Sequence, residues 1–239
     1  MKKVLLAVVF GSVFFCANSW GAASYLQRDG NWGYQVTYDY TDKAKTGWYV
    51  GGRAELSLLN WTNKYDTDWP DAVGAFEEDK YSFEPVFGGS LFAGKRFAYF
   101  WRAELEAGYL GYFEDKDNIA EFSLSIPYMT ANIYYDFINN LYVGAGVGVA
   151  LPMTTLDGSF FKYEKRQDIA VAPMVALMLG YSYELDDNLV LDLRYRLSGM
   201  TGITHRVDME EYSGTVRYFE NKIDFILDNS FSIGLRYEF

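Results

Sequence analysis

One cysteine, one histidine and five prolines in 239 residues remove several chemistries at the outset. The cysteine, Cys16, lies in an apolar run near the N-terminus. Once that run is cleaved as a leader, the remainder has no disulfide, no thiolate metal site and no cysteine nucleophile. A lipid-anchor signal would place a small residue before the cysteine, whereas Phe15 stands there. Basic clusters are also scarce: the net charge is −11, and nucleic-acid binding needs grouped Lys and Arg to neutralise phosphates. Beyond the leader no stretch is long and apolar enough for a membrane helix, which needs about 20 residues. Yet 50% of all residues are hydrophobic and 19% are aromatic. The chain is oily on average but not in runs.

The leader itself is legible. Lys2 and Lys3 precede the apolar stretch 4–16, and small residues follow at 17–23. This is the layout of a secretory signal peptide, assigned to 1–23, with acceptable cleavage sites after Ser19, Gly21 or Ala23. Residues 24–46 are an N-terminal segment or an extra strand, since Tyr34, Val36, Tyr38 and Tyr40 alternate. Residues 47–239 form one domain, undivided by any Pro- or Ser-rich linker.

Within that domain the organising signal is period two. Side chains of a strand point alternately to opposite faces. From Trp48, residues Trp48, Val50, Gly52, Ala54, Leu56 and Leu58 share one face, against Tyr49, Arg53, Glu55 and Ser57 on the other. The stretch 83–95 puts Phe87, Gly89, Leu91 and Ala93 together. The next opposes Trp101, Ala103, Leu105, Ala107 and Tyr109 to Arg102, Glu104 and Glu106. In 119–135 the parity changes, with Phe122, Leu124 and Ile126 followed by Met129, Ala131, Ile133 and Tyr135. Pro127 sits at the change and predicts a bulge there that restores one oily face. Three more alternating strands begin at Leu141, Ile169 and Leu189. The last runs through Phe231, Ile233, Leu235, Tyr237 and Phe239.

Eight strands of this kind, in segments of about ten residues, predict an all-β antiparallel up-and-down barrel that crosses a membrane; ten strands are the alternative. The connections near 97, 138 and 187 are short, whereas those over 61–81, 153–167 and 199–228 are long, with 113–118 intermediate. Short turns on the periplasmic side and longer loops outside are the rule for outer-membrane barrels, which places both termini in the periplasm.

The inward charges Arg53, Glu55, Arg102, Glu104, Glu106, Glu121, Asp192, Arg194, Arg196, Arg236 and Glu238 are mixed in sign. An interior of about eight strands is just wide enough for side chains to fill, and charges taken from water need partners. A plug of salt bridges is therefore expected rather than an ion path, with a small-solute porin as the alternative. His205 is the only base of its kind, with Ser198, Thr201, Thr204, Asp208 and Glu210 near it, so a barrel enzyme acting on lipid A or peptides would have to use it. Arg206 and Val207 follow it, however, so the His-x-Ser element of a lipid A deacylase is absent, and the bland reading is a solvated loop histidine. The first long loop carries Asp66, Asp68, Asp71, Glu77, Glu78 and Asp79 among Trp61, Tyr65, Trp69 and Phe76. Aromatics on a loop are recognition anchors, although Trp61 also suits a membrane-surface girdle. The acidic residues lack the spacing of a dedicated calcium loop, and neither a metal nor a cofactor is expected.

Several stretches carry a family likeness. They are Trp48-Tyr49-Val50-Gly51-Gly52, Phe87-Gly88-Gly89-Ser90-Leu91-Phe92-Ala93-Gly94, Ala131-Asn132-Ile133-Tyr134-Tyr135-Asp136-Phe137, Tyr142-Val143-Gly144-Ala145-Gly146-Val147-Gly148 and the terminal Phe239. From residue 48 onward the chain resembles the opacity-type, OmpA-like small outer-membrane β-barrel proteins. Those motifs are architectural, so they specify fold better than activity. The resemblance implies a structural or surface-recognition role, with adhesin or immune-evasion surface antigen as alternatives. It also implies that the barrel-assembly machinery reads Phe231, Ile233, Leu235, Tyr237 and Phe239. The partners it implies are outer-membrane lipid and lipopolysaccharide, periplasmic chaperones, and a host or matrix ligand.

Overall fold

A computed structural model describes residues 27–28, 34–35, 47–68, 78–98, 100–116, 121–137, 140–157, 166–210 and 216–239. The expected signal peptide at 1–23, with Cys16, and also Trp69 and Phe76 lie outside the described residues. No helix occurs among those described. Eight long strands form a ring: β1 Trp48–Thr67, β2 Asp79–Ala98, β3 Trp101–Lys116, β4 Glu121–Asp136, β5 Leu141–Ala150, β6 Ala172–Asp186, β7 Leu189–Glu210 and β8 Val216–Glu238. Each pairs antiparallel with its neighbours in sequence. β8 closes on β1, from Glu238 opposite Tyr49 to Phe219 opposite Thr67. Closure leaves no strand edge facing lipid, where an unpaired backbone group would have no water to bond. Gln27–Arg28 pairs with Tyr34–Gln35 in a separate two-stranded sheet.

Two short strands prolong the wall. Met153–Asp157 carries β5 onward along β4, and Arg166–Ile169 pairs with it on the way into β6. At these interruptions Leu151 N donates to Pro127 O at 2.8 Å and Ala170 N to Pro152 O at 3.0 Å. These two bonds carry the ladder across the interruptions.

Parity separates the two faces as the alternation predicts. Phe87, Leu91, Leu105, Val147, Val175 and Leu177 are each more than 60% exposed on the outside, while Arg53, Glu55, Glu104, Glu106, Asp192 and Arg194 are buried within. A rise of about 3.3 Å per residue from Trp48 to Leu58, tilted as barrel strands are, gives an apolar belt about 25 Å tall. Its short-turn end is ringed by aromatics. Phe100, Trp101 and Phe137 each lie within 5.6 Å of the Tyr135 ring, and Tyr237 lies 5.2 Å from Phe239. Such rings suit the membrane–water boundary.

Three expectations need correction. β4 does not change parity: Phe122, Leu124 and Ile126 are buried in the lumen with Tyr128, Thr130, Asn132 and Tyr134. The bulge belongs to β3, where Leu110 and Gly111 stand against Ile126 between the pairs Tyr109–Pro127 and Tyr112–Ser125. Gly111 has φ +144°, and a Cβ there would lie 2.6 Å from Val86 Cβ, so the bulge requires glycine. The stretches 61–81, 153–167 and 199–228 contain strand at 61–67 and 79–81, at 153–157 and 166–167, and at 199–210 and 216–228, because β1 runs to Thr67, β7 to Glu210 and β8 starts at Val216. Finally, Trp61 is buried inside the barrel instead of standing on a loop. The physical reason is common to all three. Above the lipid belt the inner face becomes apolar, so oiliness no longer tells outside from inside while backbone pairing continues.

The lumen is layered. Tyrosines and arginines occupy the short-turn end, a charged layer follows, then Ser57, Ser198, Asp228 and Ser230. Next come apolar Leu59, Trp61, Val86, Leu110, Leu124, Ile126, Met174, Met200, Ile203 and Ile226. Beyond these a second polar layer holds Asn63, Thr154, His205 and Asn221. Small residues make room for large ones: a Cβ on Gly180 would fall 2.2 Å from Tyr142 Cζ, and Tyr142 is fully buried. Gly180→Val is expected to destabilise the barrel by about 1–3 kcal/mol through overpacking. Urea titration followed by cold-gel migration of the folded form measures this. A wild-type midpoint would mean that Tyr142 has space to move.

Candidate functional site: the filled lumen

Three arginines from two strands meet four carboxylates at the height of the lipid belt. Arg53 on β1 makes a two-pronged contact with Glu104, Nη1 to Oε1 at 2.9 Å and Nη2 to Oε2 at 3.1 Å. Its Nε donates to Asp192 at 2.9 Å. Arg194 on β7 grips both Glu106 oxygens at 2.7 and 2.8 Å and donates to Glu55 at 2.7 Å. Arg196, two residues along the same face, donates to the other Glu55 oxygen at 2.8 Å and to Tyr128 Oη at 2.6 Å. Tyr128 Oη donates to Glu106 at 2.8 Å, Asn132 donates to Glu106 at 3.0 Å, and Tyr134 donates to Glu104 at 3.0 Å. Paired prongs of this kind are the strongest charge-assisted bonds. They also supply the extra hydrogen bonds that buried ion pairs need.

Toward the short turns the pairs loosen. Arg102 Nε donates to Asp136 at 3.0 Å and Arg236 Nε to Glu238 at 2.8 Å, with Arg96 within 3.5 Å of both carboxylates. Arg102 lies over the rings of Tyr134 and Tyr142 at 4.3 and 4.5 Å. Of the residues expected in the network, the Glu121 side chain lies outside what is described, and only its backbone is placed. Glu121 opens β4 in register with Lys116 and Asp157, beyond the apolar layer. Glu238 sits at the half-buried rim.

Tyr128, Asn132, Tyr134 and Asp228 are network members that the sequence reading missed. The first three share one parity of β4 and are uncharged, so charge alone did not flag them. Asp228 was assigned to a loop, yet it is fully buried and accepts from Ser198 at 2.9 Å.

At the opposite end Trp61 stacks on Tyr81 at 4.6 Å and meets the Phe113 edge at 4.9 Å. Tyr65 packs on the same apolar cluster. His205 is not a solvated loop histidine. It is buried, with Nδ1 2.8 Å from Thr154 Oγ1 across the barrel. Asp168, the carboxylate near it, is exposed and accepts from Ile169 N. Outside, Lys64 forms an exposed ion pair with Asp224. Among the described residues no group of His, Cys, Asp and Glu could hold a metal.

Phe231, Ile233, Leu235, Tyr237 and Phe239 all lie exposed on the outer face, and Phe239 N donates to Trp48 O at 2.9 Å. The terminal residue is thus still part of the ladder.

A closed antiparallel sheet with a charged, filled interior and an apolar outer belt defines a membrane-spanning β-barrel. The model of the outer membrane protein beta-barrel domain matches residues 35–239, and the chain belongs to that family. Solved structures similar to it include OprG from Pseudomonas aeruginosa, 16% identical, covering 83% of this chain and 98% of that one at a TM-score of 0.47. Neisserial surface protein A is 16% identical over 81% of this chain and 98% of its own, at 0.44. Ail of Yersinia pestis is 10% identical over 81% and 99%, also at 0.44. No curated protein sequence matches the chain.

Arg194→Met is expected to cost about 3–5 kcal/mol, because Glu55 and Glu106 would keep their charge with a partner missing. Adding Glu106→Met should recover part of the loss. Urea midpoints of the two variants decide, and a single variant as stable as wild type would refute the network's role.

A second expectation concerns pH. His205 lies beyond the lipid belt, and burial holds its imidazole below the ordinary 6.5 while the Asp168 carboxylate opposes the shift. The unfolded chain then binds the proton more readily, so this contribution is fully present above pH 6.5 and is lost as pH falls through the folded value. His205→Gln should flatten that part of the stability–pH curve. Parallel curves for wild type and variant would contradict it.

Proposed function

We propose that this outer-membrane barrel is closed to solutes by its own salt bridges and presents its long-loop end at the cell surface, in structural or recognition work, with both termini in the periplasm. The observation that carries the reading is the Arg194 contact with Glu55 and Glu106, joined by Arg196. It links β1, β3 and β7 across the middle of the lumen with side chains that are essentially unexposed. A porin needs a wetted path, and a path through this layer would have to break these pairs. Orientation follows from the rule that short turns face the periplasm; the turns between β2 and β3, β4 and β5, and β6 and β7 all lie at one end.

In this reading lipid and lipopolysaccharide surround the apolar belt, and the outward residues of β8 from Phe231 to Phe239 are what the assembly machinery engages. Host or matrix ligands would meet the acidic loop end, as for an adhesin or surface antigen. We assign His205 no catalytic role. Its Nδ1 is taken by Thr154, and the exposed Asp168 accepts from a backbone N–H instead of orienting the ring.

Planar-bilayer recording tests the closed lumen. Wild-type protein should pass little current, and Arg194→Met with Arg196→Met should leave it low, because the apolar cluster above the charged layer still fills the lumen. Large, stable wild-type currents would sink the reading and favour the porin.

A further inference from the structure

We propose that the outer wall at the loop-side edge of the lipid belt, where β2, β1 and β8 lie side by side, is a binding site for a phosphorylated lipid of the surrounding leaflet. The same spacing occurs on both flanks of β1: Lys80-Tyr81-Ser82-Phe83 on β2 and Lys222-Ile223-Asp224-Phe225 on β8. Both strands run antiparallel to β1, so each lysine stands three residues beyond its aromatic, toward the long loops. Lys64 of β1 stands between them, with Lys222 directly opposite it and Lys80 opposite Thr62. Neighbouring strands are about 4.8 Å apart, so three ammonium groups share a strip roughly 10 Å wide.

An irregularity in the sheet turns each aromatic outward. Phe83 is an extra residue between the pairs Leu59–Glu84 and Asn60–Ser82, and its φ is +59°, where a bulky side chain is strained. Asn60 props that bulge, its Oδ1 accepting from Phe83 N at 3.0 Å. On the other side of β1, residues 224–226 of β8 stand against 61–62, and the consecutive Asp224 and Phe225 are both exposed. The Phe83 and Phe225 residues are 59% and 50% exposed, so neither bulge serves the core. Bulges re-aim side chains, and strain kept at an exposed residue belongs to a contact outside the fold.

Charge selects the headgroup. Like charges directly opposite on adjacent strands repel, and Lys64 and Lys222 are so placed. Asp224 is ion-paired with Lys64 and lies 3.6 Å from Lys222, while Glu78 reaches Lys64 at 4.0 Å. Two carboxylates thus meet three ammonium groups, and Lys80 has no ionic partner among the described residues. Asp66 and Glu220 stand two residues further out, with Arg206 opposite Glu220. Lys80 is level with Thr62, about 10 Å beyond Leu58 along the barrel axis, and a lysine stem can snorkel back over part of that distance. An acyl chain against Phe83 and Phe225 continues the belt, and its phosphate meets the lysines. A neutral headgroup would leave the excess charge unanswered, and free phosphate would make no use of the rings.

That this leaflet is the outer one, where the phosphorylated lipid is lipopolysaccharide, rests on the orientation proposed above; the site itself does not. The test titrates full-length folded protein in neutral-detergent micelles with lipid A bearing two phosphates, and native mass spectrometry reads the lipid retained. Dephosphorylated lipid A, phosphatidylcholine and sodium phosphate are the controls. The phosphorylated lipid should be retained in preference to all three. Lys64→Gln, Lys80→Gln and Lys222→Gln together should weaken its binding by roughly tenfold or more, and Phe83→Ala with Phe225→Ala should weaken it also. Lys95→Gln, beside Trp48 at the short-turn boundary, should leave it unchanged. Should the triple variant lack the folded form on a cold gel, Lys80→Gln alone serves, with a several-fold loss expected. Equal retention of dephosphorylated lipid A, binding untouched by the lysine substitutions, or an equal loss with Lys95→Gln would overturn the proposal. A membrane-impermeant amine reagent that modifies Lys95 on intact cells and spares Lys64, Lys80 and Lys222 would refute the orientation and keep the site.

Discussion

Arg194 places one guanidinium between Glu106 and Glu55, and the rest of the interior is arranged around the fact that none of the three reaches water. A charge held in such a place is tolerated only with its partners in good geometry. That requirement fixes register, because a slip of one residue on β7 would send Arg194 and Arg196 into lipid and bring Leu193 and Tyr195 inside. The eight strands therefore have one closure that keeps Arg53, Arg194 and Arg196 opposite their carboxylates. The oily outer face is permissive by comparison, since one apolar residue facing lipid is much like another.

The same constraint explains what the sequence made legible. In β1, β3 and β7 the inward residues are charged and the outward ones apolar, so alternation of Arg53 and Glu55, or Asp192, Arg194 and Arg196, against leucines and alanines reveals both faces. In β4 the inward residues include Phe122, Leu124, Ile126, Tyr128 and Tyr134, as oily as the outward Met129 and Ile133. Hydropathy then carries no phase, and Pro127 was credited with a bulge that Gly111 makes on the neighbouring strand. Trp61 was misplaced for the same cause. A tryptophan beyond the belt reads as girdle or loop unless one knows that the barrel continues upward around an apolar core. From sequence alone His205 looks solvated, because its partner Thr154 lies 51 residues away on a strand whose pattern resembles loop.

The order of the layers also has a physical logic. The charged layer sits where the wall is encased in lipid, and there its paired prongs join strands across the barrel. Above the belt the strands meet water outside, and an apolar filling such as Leu59, Leu124, Met174 and Ile226 drives collapse there as it does in a soluble barrel. The molecule thus changes its source of cohesion along its own axis, from ion pairs within lipid to hydrophobic burial beyond it. This is why the strands extend to 20 residues and more in β1, β2, β7 and β8, where a lipid-spanning segment alone would be shorter.

The apolar filling has a second consequence. It lies between the charged network and the layer of Asn63, His205 and Asn221, so the two polar regions are held apart and a polar solute in the upper one meets a greasy floor. An ion admitted at the loop end would have to cross that floor without water before reaching any countercharge, which is a barrier even if the salt bridges below were broken. Closure of the lumen is therefore redundant, with one block of paired charges and one of hydrocarbon. Chemistry at the loop end can change without disturbing the network that holds the barrel together.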